Sequence, residues 1–217
     1  GGSLWQELVS RRGRTVQLGL CAATFGSNSV AFIRTVMGPD VFRTKVNDDP
    51  LRSRLPHHRV RVADASKRDM SLAHFVRQQR CQRAIVFVNQ PHLFRHLFRF
   101  LNQQRLPTVS VSRERSKLEC QQALSDFRNG RSRILLTTDE AGTGLDVDGV
   151  DWVLHYELPS SARAYLHRAG RTGRAGQTGI SVLWVGDTER SQLARIEREL
   201  GIQFLPWSRD EAQRPRS

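Results

Sequence analysis

Cysteine and long apolar runs are both scarce in this sequence. Cys21, Cys81 and Cys120 are the only cysteines among 217 residues, and they stand far apart. Their spacing matches neither a metal site nor a disulfide framework, so we predict no bound metal and a reducing, intracellular compartment. Mitochondrial, other organellar and nucleolar locations are all consistent with this prediction. No apolar run approaches the roughly 20 residues of a membrane span, so a membrane is not an expected partner.

Lysine is as rare as cysteine, although the chain is strongly basic. Lys45, Lys67 and Lys117 are the only lysines, so 31 of the 34 basic residues are arginine, and the net charge is +13. Such an excess favours a polyanionic partner. The alternative is a general bias towards arginine over a solvated surface, and charge alone names no site.

Four segments are predicted along the chain. Residues 1–46 hold one strand, one helix and one short strand, too few for a core of their own, so we expect them to pack on material outside this chain. Residues 47–56 are polar with two prolines and are interpreted as a linker. Residues 57–205 form the main domain, and 206–217 a polar tail.

Strands and helices alternate through the main domain. About five such pairs follow one another at intervals of roughly 20–30 residues, which is typical of an α/β fold with a mostly parallel sheet and helices on both faces. The apolar runs 84–88 and 134–137 are followed at once by Asn89-Gln90 and by Thr138. Ligands bind beyond the carboxyl ends of such strands, so the polar residues are predicted to lie where a site belongs.

The segment 167–176 has the most unusual composition. Arg168, Arg171 and Arg174 are spaced three apart, with glycines between them. Guanidinium groups keep their charge and grip phosphate oxygens in a bidentate way, and glycine lets the backbone approach a ligand closely. A basic surface turn is the alternative, but the position after an α/β crossover favours an anion site.

Four motifs resemble those of DEAD-box ATP-dependent RNA helicases. Residues 167–174 match motif VI, H-R-x-G-R-x-x-R, in full, while 138–146 resemble motif V and 85–89 resemble motif IV. Ala22-Ala23-Thr24 resembles motif III, which ends the first RecA-like domain of that family. The resemblance implies a three-layer RecA-like second domain at 57–205, preceded by a C-terminal remnant of the first domain at 1–46.

The resemblance also implies roles for single residues. Arg171 and Arg174 match the arginine fingers at the ATP γ-phosphate, and His167 matches the residue that couples them to the other domain's catalytic groups. For His167 the alternative is a buried core histidine. Gly144 and Asp146 are also expected to contact ATP. The residues expected to contact RNA are Asn89, Gln90, Thr138 and Gly142. The residues expected to contact the other domain through motif III are Ala22, Ala23 and Thr24. ATP with Mg²⁺ is the implied cofactor, held mainly by the first domain.

Departures and absences limit what the chain can do alone. Thr143 stands where the family has arginine, and Gln90 replaces a usual threonine. The chain holds neither a G-x-x-x-x-G-K-[ST] loop nor an Asp-Glu-Ala-Asp sequence, so we predict that residues 1–217 alone hydrolyse no ATP.

Two main hypotheses and a third remain for the whole protein. In the first it is an active helicase that remodels structured RNA or ribonucleoprotein. It is then expected to bind single-stranded RNA through the RNA backbone, with ribosomal or other assembly proteins as further candidate partners. In the second it is a non-hydrolysing scaffold or RNA clamp in ribosome or other ribonucleoprotein assembly. A third is a basic binding module that uses no nucleotide.

Overall fold

The computed structural model describes residues 55–142, 147, 150–173 and 179–208. The predictions for 1–46 and for most of the linker, including those for Ala22, Ala23 and Thr24, lie outside these residues. So do the predictions for Gly144, Asp146 and Arg174.

The described residues build one sheet of seven strands in the order β3-β4-β2-β5-β6-β1-β7. Every pairing between these strands is parallel, which confirms and sharpens the mostly parallel sheet expected from the sequence. The strands are β1 (His57–Val62), β2 (Ala84–Phe87), β3 (Thr108–Val111), β4 (Ile134–Thr137), β5 (Trp152–His155), β6 (Ile180–Gly186) and β7 (Leu205–Pro206). The central strands β2, β4 and β5 are buried along their whole length and mostly apolar because both of their faces are covered.

Helices cover both faces of the sheet and make the fold a three-layer α/β/α domain. The helices are α1 (Arg68–Gln78), α2 (Pro91–Gln103), α3 (Lys117–Arg128), α4 (Asp139–Gly142), α5 (Ala162–Ala169) and α6 (Arg190–Leu200), with 3₁₀ turns at Ala65–Lys67 and Asp187–Glu189. None of the helices in the described ranges has both the length and the apolar character needed to cross a bilayer.

Alternation along each strand divides the core between the two faces. Val86 of β2 packs with α1 and α2 on one face, and its neighbours Ile85 and Phe87 pack with α3 on the other. The cluster beneath α5 and α6 continues that second face through Leu183 of β6. Period-two burial of this kind places each crossover helix on a defined side, and the parallel pairing brings the carboxyl ends of the strands to one edge.

Two features at the ends of the domain differ from what the sequence predicts. The alternation of basic and apolar residues over 58–62 predicts an edge strand, but β1 lies between β6 and the two-residue strand β7. Pro206 and Trp207 were assigned to the polar tail, yet Pro206 pairs with Arg59 in the sheet. The Trp207 ring packs edge-on against Phe75, with 5.1 Å between the ring centroids. Three rings account for this, because the indole packs edge-on against Phe75 of α1, Trp152 of β5 and His58 of β1.

Candidate functional site

The predicted site residues that the structure describes lie at the carboxyl edge of the sheet. Asn89 and Gln90 follow β2, Thr138 follows the adjacent strand β4, and Gly142 ends the short helix α4. His167 lies near the end of α5, which follows β5 on the other side of β2, and Arg171 comes just after that helix. The topology therefore brings the motif IV, V and VI segments together.

Asp139 and Arg168 form a bidentate ion pair at this edge. Arg168 Nε donates to Asp139 Oδ1 at 2.5 Å and Nη2 donates to Oδ2 at 2.8 Å, while Nη1 donates to the Glu157 carbonyl at 2.8 Å. The Arg168 side chain is 1% exposed, and its guanidinium lies 5.2 Å from the centre of the Phe87 ring. Arg168 is thus an internal clamp that joins the loops after β4 and β5.

The charge of Asp139 is maintained against its burial. Partial burial pushes the pKa of this carboxyl upward, but hydrogen bonds and charge from Arg168, with help from Asn89 and His167, outweigh it and leave the pKa below its usual value. Asp139 therefore stays ionised at neutral pH and holds the buried guanidinium in place.

Asn89 has a structural part in the same network. Its Nδ2 donates to Asp139 Oδ2 at 2.7 Å, and the Asp139 N–H donates to Asn89 Oδ1 at 2.8 Å. The backbone N–H groups of Asn89 and Gln90 donate to Glu157 Oε2 at 2.5 and 3.0 Å, so this carboxylate stabilises the turn that leads into α2. Both ends of the Asn89 amide are occupied within the domain, whereas the Gln90 side chain is exposed.

Thr138 and Gly142 shape the turn after β4. The Thr138 hydroxyl accepts the N–H of Ala141 at 3.2 Å, and its carbonyl accepts the N–H of Gly142 at 2.7 Å. A Cβ atom at position 142 would lie 3.0 Å from the Phe87 ring, so any larger residue would force that ring to move by a few tenths of an ångström. The Gly142 carbonyl in turn accepts Arg171 Nη2 at 3.0 Å.

Arg171 is held between two fixed points. Its N–H donates to the Arg168 carbonyl at 3.1 Å in the last turn after α5, and its own carbonyl accepts the N–H of Val150 at 3.3 Å. The next residue, Thr172, forms a parallel bridge with Val150 and donates its hydroxyl to the Val150 carbonyl. The Arg171 backbone is therefore fixed, while its side chain is only partly buried.

His167 lies on the exposed side of α5. The core-histidine alternative is therefore wrong for this residue. Partial burial lowers its pKa, and the positive charges of Arg163 and Arg171 lower it further, with Asp139 acting in the opposite sense. Two cationic neighbours that disfavour a third positive charge mark a locally positive surface, and such a surface suits an anionic ligand.

Sequence reasoning missed Asp139, Glu157 and the inward role of Arg168. Asp139 was interpreted only as part of motif V, and Arg168 as one of three equivalent arginines. A signal was present, since Asp139 and Glu157 each stand two residues after a buried strand and Arg168 belongs to the helix that follows β5. Charges in such positions are usually paired.

The main domain is similar in sequence to known proteins. The helicase conserved C-terminal domain family matches residues 67–176. The probable ATP-dependent RNA helicase DDX4 of Bos taurus is 37% identical over 136 residues, which cover 63% of this chain and 18% of that protein. The DEAD-box ATP-dependent RNA helicase CshC of Bacillus cereus is 36% identical over 122 residues, which cover 56% of this chain and 31% of that protein.

A solved structure agrees with these relatives. The E. coli DEAD-box protein SrmB, crystallised with regulator of ribonuclease activity A, matches with a TM-score of 0.68 at 26% identity, over 73% of this chain and 94% of that one. Fold and site together define a RecA-like α/β domain of the helicase type. The chain belongs to the helicase conserved C-terminal domain family, in its DEAD-box branch. It spans between 18% and 31% of the length of these curated relatives.

Proposed function

We propose that this chain is the C-terminal RecA-like domain of an ATP-dependent RNA helicase, in which Arg171, with Arg174, reaches a nucleotide held by a neighbouring domain. The observation that carries the proposal is the way Arg171 is presented. Its backbone is fixed by α5 on one side and by the Val150–Thr172 bridge on the other, at the ligand edge of the sheet. The relatives that match this chain are themselves ATP-dependent RNA helicases by name.

The residues at this edge fit the phosphates of ATP. Arg171 and Arg163 supply positive charge around the exposed His167, and Arg171 presents a fork of donors. They do not fit a Mg²⁺ ion, since no group of three or more histidines, cysteines or carboxylates comes together in the described part of the chain. The Asp139 and Glu157 carboxylates already accept hydrogen bonds there. Ligands for Mg²⁺ would therefore come from the neighbouring domain.

The chain's contribution to hydrolysis is then electrostatic. ATP supplies the phosphoryl group, and a preorganised guanidinium stabilises charge that spreads over that group in the transition state. Arg168 takes no direct part, because its donors are used by Asp139 and Glu157. It keeps α5 in place, so that Arg171 and His167 keep their positions relative to the sheet.

RNA is proposed to contact the same edge through backbone and hydroxyl groups. Thr138, Gly142 and the exposed Gln90 side chain lie on the loops after β2 and β4. Asn89 is proposed to act through its position only, since its side chain binds Asp139. Such contacts recognise phosphate and sugar and carry little base preference. Ribosomal or other assembly proteins are proposed as partners of the whole protein on the strength of its basic charge alone.

The test is Arg171→Ala in the full-length protein, with RNA-stimulated ATP hydrolysis as the measurement. We expect turnover to fall by about 10³–10⁵, as for other arginine fingers, with a much smaller change in nucleotide binding. Arg198→Ala removes an exposed arginine from α6, away from this edge of the site, and should leave turnover unchanged. Thermal unfolding of both variants checks that the lost bond to the Gly142 carbonyl has not unfolded the domain.

Three results would contradict the proposal in different ways. Normal turnover in Arg171→Ala would favour a binding module that uses no nucleotide. No turnover in the unmodified full-length protein would favour the non-hydrolysing scaffold. Turnover by residues 1–217 alone, which we expect to be absent, would show that the neighbouring domain is not needed.

A further inference from the structure

The amino edge of the sheet, opposite the site, carries arginines that the proposed function does not use. Arg83 directly precedes β2 and Arg133 directly precedes β4, and both are exposed. The register Ala84↔Ile134 and the bond from the Ala84 N–H to the Arg133 carbonyl at 3.0 Å place them on neighbouring strands. Adjacent strands lie about 5 Å apart, so the backbones of these two arginines lie side by side at the amino ends of their strands.

Two more arginines come to this edge from the ends of helices. Arg80 follows α1 and Arg105 follows α2, and both are exposed. Arg77 Nη2 donates to the Gln104 carbonyl at 2.6 Å and to its side-chain oxygen at 3.0 Å, so the two helix ends are joined. We call Arg80, Arg83, Arg105 and Arg133 the amino-edge arginines.

The backbone of Arg80 and Arg105 argues for a function. Both residues have a left-handed backbone conformation, with φ of 48° and 55°. After α3 and α6 the chain places Gly130 and Gly201 in the same conformation, with φ of 71° and 66°. Glycine is the usual residue there because a Cβ atom strains it. An arginine inside the last turn, such as Arg77 in α1, would interact favourably with the helix dipole without this strain. Helix stability alone therefore does not explain why arginine stands at positions 80 and 105.

The charge of these four side chains is not neutralised locally. Within the residues that the structure describes, none of them forms a side-chain hydrogen bond or an ion pair. Within the described ranges, two carboxylates lie at this edge. Asp126 pairs with Arg131 at 3.3 Å, and the Asp151 backbone N–H donates to the Arg83 carbonyl at 3.0 Å. Four exposed guanidiniums at one edge leave a surplus of positive charge.

We propose that the amino-edge arginines bind the phosphates of an RNA backbone, as a second contact on the side of the domain away from Arg171. RNA is favoured over an acidic protein because protein interfaces need an apolar centre. In the described part of the chain the large exposed apolar residues are Met70 and Leu118, in the first turns of α1 and α3, and Leu205 in β7. None of these belongs to the amino edge between β3 and β2. The proposal takes RNA as the polyanion from the proposed function, but it requires no nucleotide.

The experiment measures RNA binding by the full chain without nucleotide. The probe is a fluorescein-labelled 30-nucleotide oligouridine, followed by anisotropy over a range of salt concentrations. Arg83→Gln/Arg133→Gln should weaken binding by about tenfold. The salt slope should fall by about 1.4, since each phosphate contact on a single strand contributes about 0.7.

A second variant separates binding from folding. Arg80→Gly/Arg105→Gly removes two charges and relieves the left-handed strain, so its melting temperature should not fall while its RNA affinity does. The matched control is Arg99→Gln/Lys67→Gln, which removes two charges from exposed positions outside this edge and should retain binding to within about twofold.

Equal loss in the control would overturn the proposal, because net charge would then explain binding. Full binding by both amino-edge variants, or no binding by the unmodified chain, would also overturn it. Competition by polyglutamate as effective as competition by unlabelled RNA would assign the surface to an acidic protein. ATP hydrolysis by the full-length protein is a separate readout, so a failure here leaves the Arg171 test unaffected, and the reverse also holds.

Discussion

At the scale of single residues, the structure separates arginines that the sequence makes look alike. Arg168 and Arg171 are three apart in one motif, yet Arg168 is 1% exposed and bound by Asp139, whereas the Arg171 side chain is only partly buried at the rim. The spacing of the motif could predict a cluster of guanidiniums. It could not tell which one is internal, because the deciding carboxylate lies 29 residues away along the chain.

The Arg168–Asp139 pair gives a prediction about stability. Asp139→Asn keeps the shape of the side chain but leaves a nearly fully buried guanidinium without its counter-charge. Breaking a buried pair from one side costs about 3–5 kcal/mol, and since Asp139 is 28% exposed we expect about 2–3 kcal/mol in urea unfolding. Glu140→Gln is the matched control, because its pair with Arg113 is exposed and should contribute under about 1 kcal/mol. Equal effects of the two substitutions would contradict the clamp.

At the scale of elements, helix α5 is positioned by a buried polar chain rather than by apolar contacts alone. The Tyr165 hydroxyl donates to Ser181 Oγ of β6 at 3.0 Å and lies 2.6 Å from His57 Nδ1 of β1. His155 of β5 reaches the same Ser181 oxygen at 3.0 Å, and its ring stacks on Tyr165. Three strands and one helix therefore share a single hydroxyl network, which fixes the helix that carries His167.

This network can be measured with a double-mutant cycle. Tyr165→Phe should destabilise the domain by about 1–2 kcal/mol, because buried groups lose a partner, and Ser181→Ala should cost a similar amount. Since both changes break the same bond, the double variant should be less destabilised than the two costs added together. Additive costs in chemical denaturation would show that the two hydroxyls act independently.

Whether a segment forms a helix or a strand could be predicted from the sequence more readily than the residues at which it begins and ends. The strand at 134–137 was predicted with its observed bounds because a short apolar run stands between polar residues. The apolar spacing of α2 begins only at Leu93, but the helix begins at Pro91, which suits the first helical position because it needs no N–H partner there. The shared network of His57, Tyr165 and Ser181 was not predicted, since no local pattern pairs residues separated by up to 124 positions.

At the scale of the whole molecule, one buried histidine makes stability depend on pH. Burial lowers the pKa of His155 well below its usual 6.5, and the charges of Arg168 and His57 lower it further. The unfolded chain therefore takes up a proton near pH 6.5 while the folded domain does not. Stability from the neutral ring is complete above about pH 6.5 and is lost as pH falls towards the folded pKa.

The expected loss is at most about 1.4 kcal/mol per pH unit below pH 6.5, measured by urea unfolding at several pH values. His155→Gln keeps a polar group near Ser181 but cannot titrate, so its stability should vary less over this range. His92→Gln changes an exposed histidine and should leave the pH dependence as it is. An unchanged slope in His155→Gln would assign the dependence to other groups.

The strand order has a consequence for how the protein is made. Strand β1 is the first strand of the domain, and its two neighbours, β6 and β7, are the last. During synthesis His57 leaves the ribosome more than 120 residues before its partner Ser181, so β1 has no native neighbour until almost the whole domain has emerged. Such late closure slows folding and leaves the backbone of β1 and the side of β5 that pairs with β6 open to wrong pairing, so a truncation before β6 should depend on chaperones to remain unaggregated.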